Sequence, residues 1–167
     1  AWCSADTLLL EETHRRGILG SGILVVNDIY GALCVALEPH ALWTDSALAV
    51  LALRHNERAN RRTQTRIVWS TEVPPAAPEL VVLRIPKQRP LFEYQLSRLA
   101  RLLPEQTTVL AAGMDKHLSP HTAAILERYI GPAQRHRGQH KARLFSAIRD
   151  ERSAPEYTGI ATYHSEA

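Results

Sequence analysis

The sequence predicts an α/β fold: a mostly parallel sheet with helices on both faces and an antiparallel hairpin at one edge. Three observations carry this. Short apolar runs alternate with segments of helical period, the pattern of βαβ units with right-handed crossovers. Two of the runs, ILVVN and LVVLRI, are apolar without alternation, as in strands buried on both faces. After Gly131 the order changes to two short segments joined by a basic turn, which suits an edge hairpin.

The elements follow in order. Residues 4–16 (SADTLLLEETHRR) form a helix with Ser4 or Asp6 as its cap, ended by Gly17. A Gly-Ser-Gly step leads to the first strand, ILVVN, and Asp28-Ile29-Tyr30-Gly31 make the turn into a short helix, ALCVALE. LWTD is the next strand, then a helix over 46–60 capped by Asp45 or Ser46, and RIVW is the third strand. The loop TEVPPAAPE cannot extend that strand, because proline lacks a donor and restricts its predecessor. LVVLRI is the fourth strand. Phe92, Leu96, Leu99 and Leu103 mark one stripe of the helix that follows. TTVLAAG is a strand, and SPHTAAILERYI is a helix with Ser119 as N-cap, Pro120 at its first position and Gly131-Pro132 as its stop. KARLFSAI is the last strand.

Composition places the chain among ordinary globular domains. It has 167 residues, 45% hydrophobic and 22% charged, enough for one full core. Two cysteines, Cys3 and Cys34, argue against a disulfide scaffold or a zinc module, and Cys34 within ALCVAL reads as a buried small hydrophobe. No stretch approaches the ~20 apolar residues of a membrane span, and no signal peptide opens the chain. The expectation is a cytoplasmic protein with reduced thiols and no membrane partner. A start at Ala1 and an end on GIATYHSEA suit a piece of a longer protein.

Net charge is +3, but placement says more than the sum. Residues 133–149 hold Arg135, Arg137, Lys141, Arg143 and Arg149 with no acid. A second acid-free run, 58–71, holds Arg58, Arg61, Arg62 and Arg66. Solvated surfaces usually mix signs, so these runs are read either as a phosphate-binding face or as helix-end and loop charge without a partner.

In a sheet of this kind the ligand crevice lies at the carboxyl ends of the strands. That brings together residues 28–31, 44–46, 85–88 and 112–116. A nucleotide or adenosyl ligand needs a glycine-rich first loop and an acid after the second strand. Asp45, 17 positions beyond Asp28, stands near the ~20 expected, with a helix N-cap as the alternative. The first loop departs from the requirement. Only Gly31 is glycine in NDIYGAL, while Ile29 and Tyr30 occupy the approach, although Tyr30 offers a ring for stacking. No G-x-S-x-G elbow and no G-x-x-x-x-G-K phosphate loop occurs. His117 and His121 lack a third ligand nearby in sequence and read as a surface pair.

NDIYGALCVALEPH, WTDS, LRIPKQRPLFEYQL and GPAQRHRGQHKARLF, taken together, resemble the N-terminal domain of bacterial ribosomal RNA guanine-N2 methyltransferases, the 23S enzymes more closely than the 16S ones. The resemblance covers nearly the whole chain. It implies a degenerate Rossmann-like class I methyltransferase fold over 1–150, with 151–167 starting a linker to a C-terminal catalytic domain. That second domain, in the family, binds S-adenosylmethionine and carries an N-P-P-[FYW] loop after its fourth strand. Here the matching loop is Arg84-Ile85-Pro86-Lys87, which keeps the proline but has neither amide nor aromatic ring.

The resemblance therefore implies a chain with no catalytic residue and no cofactor of its own, Asp28, Tyr30, Gly31 and Asp45 being degenerate positions. Its partners would be 23S rRNA and the catalytic domain. Arg135, Arg137, Lys141 and Arg143 are the first candidates for phosphate contact, then Arg61, Arg62 and Lys87, since phosphates position RNA without specifying sequence. Arg84 and Arg89 are read as further cations of the loop. Two other readings stay open: an S-adenosylmethionine enzyme with an atypical site using Tyr30 and Asp45, and a packing module with an exposed apolar face.

Overall fold

The computed structural model describes residues 3–18, 20–74, 77–151 and 155. Seven strands, β1 (Ile23–Val26), β2 (Ala41–Thr44), β3 (Arg66–Trp69), β4 (Leu80–Arg84), β5 (Thr108–Met114), β6 (Ala133–Arg135) and β7 (Ala142–Ile148), form one sheet in the order β3-β2-β1-β4-β5-β7-β6. The first five run parallel; β7 lies antiparallel to β5 and pairs with β6 as the edge hairpin. The chain starts at the sheet's centre, winds outward to β3, returns to β4 and winds the other way. The switch between β1 and β4 is where such sheets open a crevice.

Helices α1 (Ser4–Arg16), α2 (Ala32–Leu37), α3 (Ala47–Ala59), α4 (Arg89–Leu102) and α5 (Thr122–Tyr129) cover the two faces. Strand alternation divides the core between them. Val81 and Leu83 of β4 join Leu24, Val26, Trp43, Val109 and Phe145 under the α4 stripe of Phe92, Leu96 and Leu99, continued by its C-cap Leu103. Leu80 and Val82 join Ile23, Val25, Leu42 and Leu110 under Leu9 of α1, Leu33 of α2 and Leu53 of α3. Burial on both faces is the reason β1 and β4 carry no polar alternation.

Helix ends depart from the sequence reading in two places. The cap of α1 is Cys3, not Ser4 or Asp6; Asp6 instead turns back to accept from the Cys3 backbone N–H at 3.2 Å. Its other oxygen accepts from Arg84 of β4, and both side chains are buried. At α5 the helix begins at Thr122, past Pro120. Ser119 closes a turn ahead of it, its Oγ accepting from the His121 N–H and its carbonyl from Thr122. Gly17 ends α1 in the left-handed conformation, as expected. Of the linker expected from 151 onward, residues 152–154 and 156–167 lie outside the described residues.

Candidate functional site

The crevice exists and three of the four expected segments line it. It is a cleft of about 220 Å³ walled by Asn27, Ile29, Thr44, Asp45, Ser46, Ala49 and residues 84–88, with Leu91 of α4 closing one side. The fourth segment, 112–116, meets the loop at a backbone bond, Ile85 N–H to the Ala112 carbonyl, but is not part of the cleft wall and opens onto a different depression.

The β1 exit loop is held by its own side chains. Asn27 adopts a left-handed backbone (φ 63°) and exchanges two amide hydrogen bonds with the fully buried Gln95 of α4, at 2.8 and 2.9 Å. Its Nδ2 also donates to the Arg84 carbonyl at 3.0 Å, tying β1, β4 and α4 together beneath the cleft. Asp28 is buried, and its carboxylate accepts from the Cys34 N–H at 2.8 Å. It thereby caps α2, whose own N-cap, Gly31, has no side chain. Burial pushes the Asp28 carboxyl above its usual range against the lowering effect of that bond. Burial likewise pushes the Cys34 thiol far up, which suits an inert core residue.

Gly31 serves packing rather than ligand access. Its φ is +78°, and a Cβ there would stand 2.7 Å from the Leu53 Cα of α3. The ring expected to stack, Tyr30, is 45% exposed and is not part of the cleft wall; Ile29 takes that place. The alternatives at Asp45 resolve toward a free carboxylate. Ser46 is the cap of α3, its Oγ accepting from Ala49 at 3.1 Å, and Thr44 Oγ1 accepts from the Ser46 N–H. Asp45 is left exposed at the cleft without an ion pair among the described residues.

The loop after β4 divides in character. Arg84 is not a loop cation: it is buried, paired with Asp6, and its Nε has no acceptor among the described residues. Ile85 and Pro86 are half-buried, and Lys87 stands exposed. Arg89, also exposed, faces Glu93 at 3.4 Å. Ile85, Pro86 and Lys87 form a ridge. On its far side lies a second depression lined also by Arg89, His117, Ser119 and Thr122. Ser119 and Thr122 in turn border a third, lined by Asp115, Arg135, Arg143 and Phe145. Slight dehydration, then the Lys87 and Lys116 ammonium groups, hold the His117 imidazole below its usual range.

The edge hairpin brings its cations to this same rim. β7 starts opposite Met114, the carboxyl end of β5, so the β6–β7 turn lies beside the strand-end loops. Residues 139–142 close a two-residue turn with paired Gln139 and Ala142 backbone bonds; His140 (φ 47°) and Lys141 (φ 61°) are its centre. Arg135, Arg137 and Lys141 are exposed. Arg143 is half-buried and braces the hairpin, donating to the His136 carbonyl at 3.2 Å and lying 3.9 Å from Asp115. Arg61 and Arg62 do not join them. They follow α3 at the amino end of the sheet, where Arg62 pairs with Glu38 at 3.0 Å.

Several site features were outside the sequence reading: the Asn27–Gln95 lock, the Asp6–Arg84 pair, Leu91 as a cleft wall, and the strained turn at His140-Lys141. Gln95 beside Phe92 and Leu96 was the available signal, a polar residue within a buried stripe.

A seven-stranded sheet with a reversed β7, a central switch point and a cleft above it defines a Rossmann-like methyltransferase fold. Solved structures agree: a T. thermophilus 16S rRNA N2 methyltransferase in complex with AdoMet and guanosine matches at TM-score 0.72 over 90% of this chain and 44% of that one, at 19% identity. A ribosomal protein L11 methylase from Lactobacillus delbrueckii matches at TM-score 0.67 over 87% of this chain and 79% of that one, at 16% identity.

The chain belongs to the RLMG N-terminal domain family, whose model matches residues 1–151. Its relatives include the ribosomal RNA large subunit methyltransferase G of Pseudomonas paraeruginosa, 41% identical over 93% of this chain and 43% of the relative. That of Yersinia pestis is 34% identical over 86% of this chain and 38% of the relative. The chain thus spans about two fifths of the length of the curated relatives it matches. No helix among the described residues is long and apolar enough to cross a membrane.

Proposed function

We propose that residues 1–150 form a non-catalytic, RNA-docking domain of an S-adenosylmethionine-dependent 23S rRNA (guanine-N2) methyltransferase, and that 151–167 lead toward a C-terminal domain that binds the cofactor and carries catalysis. The supporting observation is the gathering of Lys87, Arg135, Arg137 and Lys141, all exposed, on the rim that also holds the cleft. Cations so placed neutralise phosphates without reading bases. The same reading makes this a cytoplasmic protein whose partners are rRNA and its own catalytic half.

The first loop supports the reading that this half transfers no methyl group. The turn is closed by the Asn27–Gln95 lock, Asp28 is turned inward to cap α2, and Gly31 is packed against α3. After β4, residues 84–87, the positions that match the family's catalytic loop, carry neither an amide nor a ring to hold a target amine. Arg61 and Arg62 drop from the set of phosphate contacts, and Arg143 serves the hairpin.

The test is a titration of the 167-residue chain with rRNA fragments across a salt series, beside Arg135→Ala/Arg137→Ala/Lys141→Ala. Wild type should bind with a steep salt dependence that the triple variant flattens. An unchanged slope would remove the docking role. Calorimetry with S-adenosylmethionine complements it: micromolar binding by this chain would favour the atypical-enzyme reading.

A further inference from the structure

We propose that the cleft at the ends of β1, β2 and β4 receives one unstacked nucleotide of a single RNA strand, whose backbone crosses the Lys87 ridge and continues along the rim toward Arg135. This rests on the docking reading above and adds what kind of RNA the rim accepts.

Size argues first. At about 220 Å³ the cleft falls below the ~300–1,000 Å³ of sites that enclose drug-sized ligands, but it has room for a single base with part of its sugar. Its walls are the apolar Ile29, Ala49, Ile85, Pro86 and Leu91, surfaces on which the face of a base can rest.

Charge argues second. Asp45 is the exposed acid of the cleft, and its carboxylate repels phosphate while accepting from exocyclic amines, ring N–H groups or ribose hydroxyls. Lys87 stands on the ridge shared with the next depression, and His117 and Arg89 lie beyond it. A nucleotide with its base in the cleft and its phosphate over Lys87 satisfies both signs; a phosphate in the cleft satisfies neither.

Shape argues third. The rim is a row of depressions sharing walls, Ile85, Pro86 and Lys87 between the first pair and Ser119 and Thr122 between the next. A strand with splayed bases follows such a row, whereas the closed edge of an A-form duplex offers no base to insert.

The experiment measures anisotropy of a labelled single-stranded RNA octamer and a labelled RNA duplex on the 167-residue chain, its Ile29→Trp and Asp45→Ala variants, and the Arg135/Arg137/Lys141 triple alanine variant. Ile29 is 49% exposed and Asp45 is outside the α3 cap, so neither change touches the core. The single strand should bind more tightly than the duplex. Filling the cleft by Ile29→Trp should weaken the single strand about tenfold, the worth of one stacked base, and leave the duplex unchanged. Asp45→Ala should weaken it about fivefold, the worth of one hydrogen bond.

Single-strand affinity untouched by Ile29→Trp overturns the inference while leaving the rim reading intact, provided the triple variant still loses binding. No RNA bound by wild type overturns both. Displacement of the octamer by S-adenosylmethionine at micromolar concentration would assign the cleft to a free adenosyl ligand and overturn the inference as well.

Discussion

The two ends of the sheet place the same residue types in different surroundings. At the carboxyl ends of the parallel strands, Lys87, Arg135, Arg137 and Lys141 are exposed and carry no ion pair among the described residues. At the amino end, Arg62 is held by Glu38, and Arg149 donates to the carbonyls of Ala100, Ile130 and Asp150. Arg149 shares its acid-free run with Arg135, Arg137 and Lys141, so the division by sheet end does not follow the two runs of the chain. What sets Arg62 and Arg149 apart from the rim cations is the neighbours the fold supplies, a carboxylate for one and carbonyls for the other. A cation whose hydrogen bonds are already made positions structure, and one without them is available to a phosphate.

The sharpest way to break the comparison is at Arg84, a buried cation within reach of the rim but not of it. Arg84→Ala or Asp6→Ala should destabilise the domain by about 3–5 kcal/mol, because each leaves a buried charge without its partner. Denaturant melts read this directly. A loss below about 1 kcal/mol would mean the pair is hydrated and Arg84 belongs with the rim after all.

The rim triple variant should do the reverse. Exposed side chains away from packing change stability by about 0.5 kcal/mol or less. Removing three single-strand phosphate contacts should flatten the slope of log K against log salt by about two. A stability loss comparable to that of Arg84→Ala would show that these cations hold the hairpin rather than RNA.

Asp28 offers a smaller and more chemical test. Asp28→Ala removes the acceptor for the Cys34 N–H and should cost about 1–2 kcal/mol. Asp28→Asn keeps an acceptor without the charge. The folded carboxyl titrates above its unfolded value near ~3.9, so its contribution is stabilising below that value and is lost as pH rises through the folded one. Asn should therefore match or exceed wild type at neutral pH, and its advantage should shrink on acidification toward pH ~4. A gap independent of pH would refute the dehydration account.

How much of this was legible differs by level. The mostly parallel sheet with helices on both faces follows from the alternation of short apolar runs with helices, since Val81, Val82 and Leu83 are buried on both sides of it, whereas the strand order is visible only in the structure. The crevice followed from topology alone. What the sequence did not disclose were pairings across long separations: Asp6 with Arg84, 78 positions apart, and Asn27 with Gln95, 68 apart. Asp6 read as an ordinary helix-start acid, and Arg84 as one of three loop cations. Period and composition report which face a residue takes, but a buried polar partner is chosen by geometry that no local pattern encodes. The helix cap at Ser46 was one of two readings of Asp45-Ser46, and only the geometry freed Asp45 for the cleft.

The finest test lies in the hairpin turn, where stability and the proposed docking are set against each other. Two-residue hairpin turns with both central residues at positive φ strongly prefer Asn-Gly, yet His140 and Lys141 occupy them. A non-glycine residue in the left-handed region costs roughly 1–2 kcal/mol. His140→Asn/Lys141→Gly should therefore stabilise the domain by about 1 kcal/mol, seen as a higher denaturation midpoint with an unchanged slope. If Lys141 is kept there for phosphate, the same variant should bind RNA more weakly despite folding more tightly, with the salt slope reduced by about 0.7 for one lost contact. Stabilisation with full RNA affinity would leave the hairpin tip without a role and confine docking to Lys87, Arg135 and Arg137.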